Sequence, residues 1–187
     1  MPKRRYRRLV LIALATLTFL PAARGSAEEY YFALIFGSET RPKQLRLTHT
    51  WATFVKASGT GPDLSTYALE EVTISWLPAT LSIRVFAHDP EPGVNLGLHQ
   101  TLRYVRSQRE FVTVWGPFVV TPLLYERALA QAARLRAGVV RYRAISSPFD
   151  QSISGCIHAV SDVDPMFGRW NNPLIRVGIP ASRHIAE

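Results

Sequence analysis

Residues 121–145 read TPLLYERALAQAARLRAGVVRYRAI, and this stretch decides the fold class. Thr121 is a good N-cap, and Pro122 suits the first helical position because its missing N–H has no intrahelical partner there. The interior is dense in strong helix formers, and Gly138 supplies the stop. Residues 139–145 (VVRYRAI) then alternate as a strand should. Upstream, the pattern is mostly strands. Residues 30–36 (YYFALIF) form a first strand, and 45–57 (LRLTHTWATFVKA) form a second or two short ones. Residues 69–77 (LEEVTISWL), stopped by Pro78, and 81–87 (LSIRVFA) are two more. The segment 89–93 (DPEPG) reads as a loop, and 96–105 as a short helix with Leu98, Leu102 and Val105 in phase. Residues 110–120 are strand-like with an interruption at Gly116-Pro117. Downstream come a polar loop over 146–155, a helix over 156–163 (CIHAVSDV), and a loop-rich tail, 168–187, with a short helical turn. About six strands, clustered early and compatible with antiparallel pairing, plus three or four helices make an α+β domain: an antiparallel sheet packed against helices.

The chain has 187 residues, 47% hydrophobic and 19% charged, enough for one domain with its own core. Its formal charge of +8 invites a nucleic-acid reading, but six cations and no acid lie in residues 1–27. Removing those six from 22 Lys and Arg leaves 16 against 14 acids, so the remainder carries little excess charge. No nucleic-acid partner is expected, and Arg134, Arg136, Arg141 and Arg143 read as a solvated helix end and strand edge. Residues 1–8 are cationic, 9–20 (LVLIALATLTFL) are apolar, and Pro21 with Gly25, Ser26 and Ala27 follows. This is the anatomy of a signal peptide cleaved after Ala27, with an uncleaved anchor as the alternative. The apolar run is short for a bilayer span, which takes about 20 residues. The expectation is an exported protein, periplasmic or extracellular, with a single domain over 28–187 and no later membrane span.

Only one cysteine exists, so Cys156 forms no internal disulfide. The segment 152–160 (SISGCIHAV) places it where a loop enters a helix. Helix-start N–H groups stabilise a thiolate and can cradle an oxyanion, so Cys156 is either a nucleophile or a small core residue. A nucleophile needs a base, and His49, on the strand LTHTWATFV, is the best candidate. His158 lies two positions from Cys156 on one helix, where side chains diverge, and reads as structural. His184 sits in a loose terminus. With His88 and His99 the five histidines make no HxH or HxxxH pair, so neither metal nor cofactor is expected. Trp51, Trp76 and Trp115 read as core or groove walls.

The order of these pieces resembles that of the circularly permuted papain-like cysteine hydrolases, a group that includes bacterial cell-wall peptide amidases and lecithin–retinol-acyltransferase-like enzymes. The matching pieces are His49-Thr50-Trp51-Ala52-Thr53-Phe54-Val55, residues 127–142, and Gly155-Cys156-Ile157-His158-Ala159-Val160. The family often carries Asn where this chain has Gly155. The resemblance implies a permuted papain-like architecture in which Cys156 attacks a carbonyl and His49 serves as base. It also implies that a polar residue on the following strand orients His49. Glu70, Glu71, Thr73 and Ser75 all lie on that strand; alternation groups Glu71, Thr73 and Ser75 on one face, and Glu71 is chosen. The implied substrate is an amide bond of cell-wall peptides, with a lipid acyl bond second. The alternative is an inactive relative that binds an envelope ligand or protein.

Overall fold

The computed structural model describes residues 27–166 and 176–187. The leader expected over 1–27 lies, except for Ala27, outside the described residues, as does part of the tail. In chain order the elements are β1 (Glu28–Glu39), β2 (Thr48–Gly59), β3 (Ala68–Ile74), β4 (Trp76–Pro78), β5 (Glu91–Asn95), α1 (Leu98–Ser107), β6 (Phe111–Val119), α2 (Pro122–Arg136), β7 (Arg141–Tyr142), β8 (Ile153–Ser154), α3 (Cys156–Ser161) and α4 (Ile179–Ala186). The fold is α+β. A four-stranded antiparallel sheet runs β3-β2-β1-β6, and a smaller strip runs β4-β5-β7-β8, its last pair parallel. No helix among the described residues is long and apolar enough to cross a membrane.

Period-two alternation splits the main sheet into two apolar faces. Ala33, Ile35, Ala52, Phe54, Val72 and Ile74 point to one face, where they meet Tyr125, Ala128, Ala132 and Leu135 of α2 and Ala159 and Val160 of α3. Trp51 points to the other, where it packs with Leu77, Ile83, Tyr104 and Val105 and stacks on Phe36. Thr121 caps α2 by accepting the Leu124 N–H, as the sequence indicates. Gln131 of α2 donates to the Ala159 carbonyl at 3.0 Å and so ties the two helices on this face. The interruption at Gly116-Pro117 is a register shift between β1 and β6; a Cβ at Gly116 would lie 2.6 Å from the Ala33 carbonyl oxygen.

Two expectations fail on the smaller strip. Residues 81–87 are not a strand: Leu81 takes a positive φ of 56° after Pro78, and the segment runs irregularly with Ile83 turned inward. The pairing goes instead to residues 91–95, part of which read as loop. Gly93 permits it, because the Trp76 indole lies where a Gly93 Cβ would stand. Tertiary packing here outweighs local propensity. Likewise 139–145 contributes only the two residues of β7. The C-terminal segment is not loose: α4 packs on the main sheet with Ala181 and Ser182 buried.

The strip carries the segment that leads into α3. The buried Trp76 Nε1–H donates to the Ser154 carbonyl at 3.1 Å, two residues before Cys156. Trp76→Phe removes that donor, leaves the Ser154 carbonyl with the Arg143 N–H alone, and empties space that the buried indole fills. The expected loss is about 1–3 kcal/mol of unfolding free energy, measured by urea denaturation.

Candidate functional site

The site begins at the break between β3 and β4. Ser75 sits in that break and is clamped by its own backbone: its N–H donates to Asn95 Oδ1 at 2.9 Å, and its carbonyl accepts the Leu96 N–H at 3.0 Å. Asn95 Nδ2 in turn donates to the Thr73 carbonyl at 2.8 Å. This clamp aims the Ser75 hydroxyl at His49, whose Nε2 lies 2.9 Å from Ser75 Oγ. Ser75 therefore partners the imidazole, and Glu71 does not. Glu71 is exposed and pairs with Val55, six residues along β2 from His49. At about 3.3 Å per residue that is roughly 20 Å away, far beyond a glutamate's reach. Glu70 is exposed too, and Thr73 is bonded to Thr53 at 3.0 Å.

His49 is completely buried. It stacks on Trp51, meets the edge of Tyr104, and its Nδ1 has no hydrogen-bond partner. Burial alone holds its pKa down at about 3, so the ring is neutral at physiological pH. In the tautomer whose Nε2–H is donated to Ser75, Nδ1 presents a free lone pair. A buried polar atom without a partner costs about 1–3 kcal/mol, a state His49 Nδ1 shares with Nε1 of its stacking neighbour Trp51.

Cys156 is the first residue of α3, as the sequence indicates, and is half-buried. Its sulfur accepts from the Thr50, Ile157 and Cys156 backbone N–H groups. The expected acidic thiol is not found: burial outweighs those three donors and pushes the thiol up to about 11. The Thr50 amide brings the sulfur to β2 one residue from His49, yet Nδ1 remains without a partner and the two groups make no hydrogen bond. The resting site thus holds a neutral thiol beside a neutral imidazole.

Crowding explains Gly155. A Cβ there would stand 2.8 Å from the Ala144 carbonyl oxygen and 3.0 Å from that of Arg143, so no asparagine fits. Its N–H instead donates to Ser146 Oγ at 3.0 Å, and Ser146 Oγ lies 2.6 Å from His158 Nδ1. His158 is buried and hydrogen-bonded, the structural role read from its spacing.

The thiol opens on a cavity of about 330 Å³. Its walls are mostly aliphatic and aromatic: Leu45, Ile83, Val85, Phe86, Ile145, Ile157 and Val177, with Thr48, Tyr142, Ser146 and His158 as polar points. This is the size and character of a small-molecule site, apolar with a few polar groups. Among the described residues no three His, Cys, Asp or Glu side chains converge as metal ligands.

Three further side chains near His49 escape a sequence reading: Ser38, Tyr104 and Glu110. Ser38 of β1 is completely buried directly across from His49 in the strand register, and its hydroxyl donates to Glu110 Oε2 at 2.5 Å. Burial raises the Glu110 pKa, against the lowering effect of that bond, and burial lifts the Tyr104 phenol to about 12. The separation of 72 residues between Ser38 and Glu110 hides the contact from any local pattern.

The depressed His49 pKa makes stability pH-dependent. The unfolded chain takes up this proton near pH 6.5 and the folded chain only near pH 3, so the unfolded state binds more protons in between. Stability is lost as pH falls through that window, by at most about 1.4 kcal/mol per pH unit from this group. Urea unfolding at successive pH values will show a shallower acid slope in His49→Gln than in the wild type. Ser75→Ala, by stranding Nε2 as well, costs about 1–3 kcal/mol, whereas Glu71→Gln stays within about 0.5 kcal/mol in the same assay. No family model, characterised protein or solved structure matches the chain.

Proposed function

We propose that the protein is a thiol-dependent acyl hydrolase or acyltransferase, taking the acyl chain of its substrate into the cavity beside Cys156. The single observation that carries this reading is the apolar cavity with a thiol in its wall. A cell-wall peptide, rich in backbone N–H and C=O groups, would lose its hydration against these walls and regain few hydrogen bonds. An acyl chain gains about 0.8 kcal/mol for each CH₂ buried there.

In this reading the Cys156 proton passes to His49 Nδ1 as the sulfur attacks the substrate carbonyl. The leaving alcohol or amine departs with that proton, and a thioester remains on Cys156. Water or an acceptor then resolves the thioester, with His49 as base for the incoming group. Ser75 keeps the imidazole in the tautomer and orientation the transfer needs. The Thr50, Ile157 and Cys156 amides, already directed at the sulfur, are candidate donors for a developing oxyanion. Export to the cell envelope, expected from the leader, puts lipid acyl groups within reach.

A second reading is favoured by one observation, the absence of a hydrogen bond between the thiol and His49. The same cavity would then hold an apolar ligand without chemistry, as an inactive relative would.

Both readings meet one experiment. Octanoyl and acetyl p-nitrophenyl esters and a peptide amide are offered to the protein, with mass spectrometry of Cys156. Acyl transfer requires a thioester on Cys156, loss of turnover in Cys156→Ser and His49→Ala, and a kcat/KM for octanoyl at least about tenfold above acetyl. Val85→Glu, which puts a charge on the cavity wall, should erase that chain-length preference. Faster cleavage of the peptide amide sinks the acyl reading, and octanoate binding without any thioester supports the binding module.

A further inference from the structure

The chamber around His49 contains an acidic group that the proposed chemistry has not used. Glu110 immediately precedes β6, and its backbone N–H, bonded to the Val105 carbonyl at 3.0 Å, seats it where α1 turns into that strand. From there the side chain reaches under the main sheet to Ser38. Ser38 and His49 are a directly opposed pair on adjacent antiparallel strands, so their side chains leave the same face side by side. The half-buried carboxyl is thus fixed on the face that carries the imidazole. Tyr104 from α1 and Cys156 from α3 are the titratable groups that feel its charge. A surface glutamate would have no cause to bond a completely buried serine.

We infer that Glu110 is a positioning residue of the thiol–imidazole pair, anchored by Ser38 so that its carboxylate stabilises the imidazolium formed when the Cys156 proton reaches His49. This rests on the acyl-transfer reading for its catalytic consequence, but the electrostatic coupling stands without it. The sign is fixed by charge. An anion at Glu110 disfavours a negative Cys156, whose pKa it raises, and by the sign of its charge it would favour an imidazolium forming at His49. The carboxylate therefore holds the thiol protonated at rest and lowers the cost of the charged imidazole during turnover.

Glu110→Gln keeps the shape and can still bond Ser38 while removing the charge. In the full chain, iodoacetamide alkylation of Cys156 followed against pH should shift to lower pH in the variant. At a fixed pH below the midpoint the variant should react about threefold faster. Ser38→Ala, which releases the carboxylate from its anchor, should shift alkylation the same way and serves if the first variant does not fold. On the octanoyl ester, Glu110→Gln should lower kcat about tenfold and leave KM within about twofold. A loosened fold would also expose this buried thiol and slow turnover, so the split is read together with the urea midpoint, which should stay at the wild-type value in at least one of the two variants; a midpoint lowered in both overturns the inference. An alkylation profile identical to the wild type overturns the inference, and so does an unchanged kcat in a protein that turns over. If the wild type cleaves no ester, the acyl-transfer reading fails by itself, while a shifted alkylation profile in Glu110→Gln still establishes the coupling.

Discussion

Strand β2 is covered on both faces, and that burial constrains the rest of the molecule. From Thr48 to Phe54 every residue is buried, although four of the seven are polar. A polar side chain so placed must find a partner or cost stability. Thr48 donates to the Leu45 carbonyl, His49 meets Ser75, Thr50 meets Ser182 at 2.9 Å, and Thr53 meets Thr73. Each bond fixes a different element: the turn before the strand, the break between β3 and β4, helix α4, and β3. The candidate site stands where these requirements intersect. They are not met at Trp51 Nε1 or at His49 Nδ1, and the second is the nitrogen that the proposed proton transfer needs.

Charge formation is expensive in this setting, and the site is arranged around that cost. Burial depresses the imidazole and raises the thiol, so the pair rests in its uncharged form rather than as a thiolate and an imidazolium. A substrate that fills the apolar cavity excludes water further and makes each nearby dipole count for more. The hydrogen bonds from the Thr50 and Ile157 amides to sulfur, and the anchored carboxylate near the ring, are then the features that govern how readily the proton moves.

Much of the fold was legible because its signals are local. Thr121, Pro122 and Gly138 bracket α2 by capping chemistry, and the branched and aromatic alternation of residues 30–36 announces β1. Cys156 at a helix start could also be read. What could not be read depended on distant partners. Residues 81–87 have strand propensity and residues 89–93 have loop propensity, yet the flat fit of Trp76 over Gly93 reverses their roles. Glu71 and Ser75 share an alternation phase, so only the pairing register separates them. Carrying that register to the end of β3 would have brought Ser75 rather than Glu71 near His49, a signal available once β2 and β3 are aligned. The basic charge of a helix start suggested an acidic thiol, but propensity arguments carry no information about how deeply a side chain is enclosed.

Helix α4 locks onto the sheet with little tolerance. Ser182 lies so close to Gly37 that a Cβ on the glycine would be 2.6 Å from its Oγ, and it also bonds Thr50, the residue whose amide touches the sulfur. The floor under the thiol is therefore finished by residues that are translated after Cys156 itself. A growing polypeptide that has delivered both the histidine strand and the cysteine helix still lacks this wedge. The seating of Thr50, and with it the strand position next to His49, therefore depends on a segment that lies later in the chain than either His49 or Cys156.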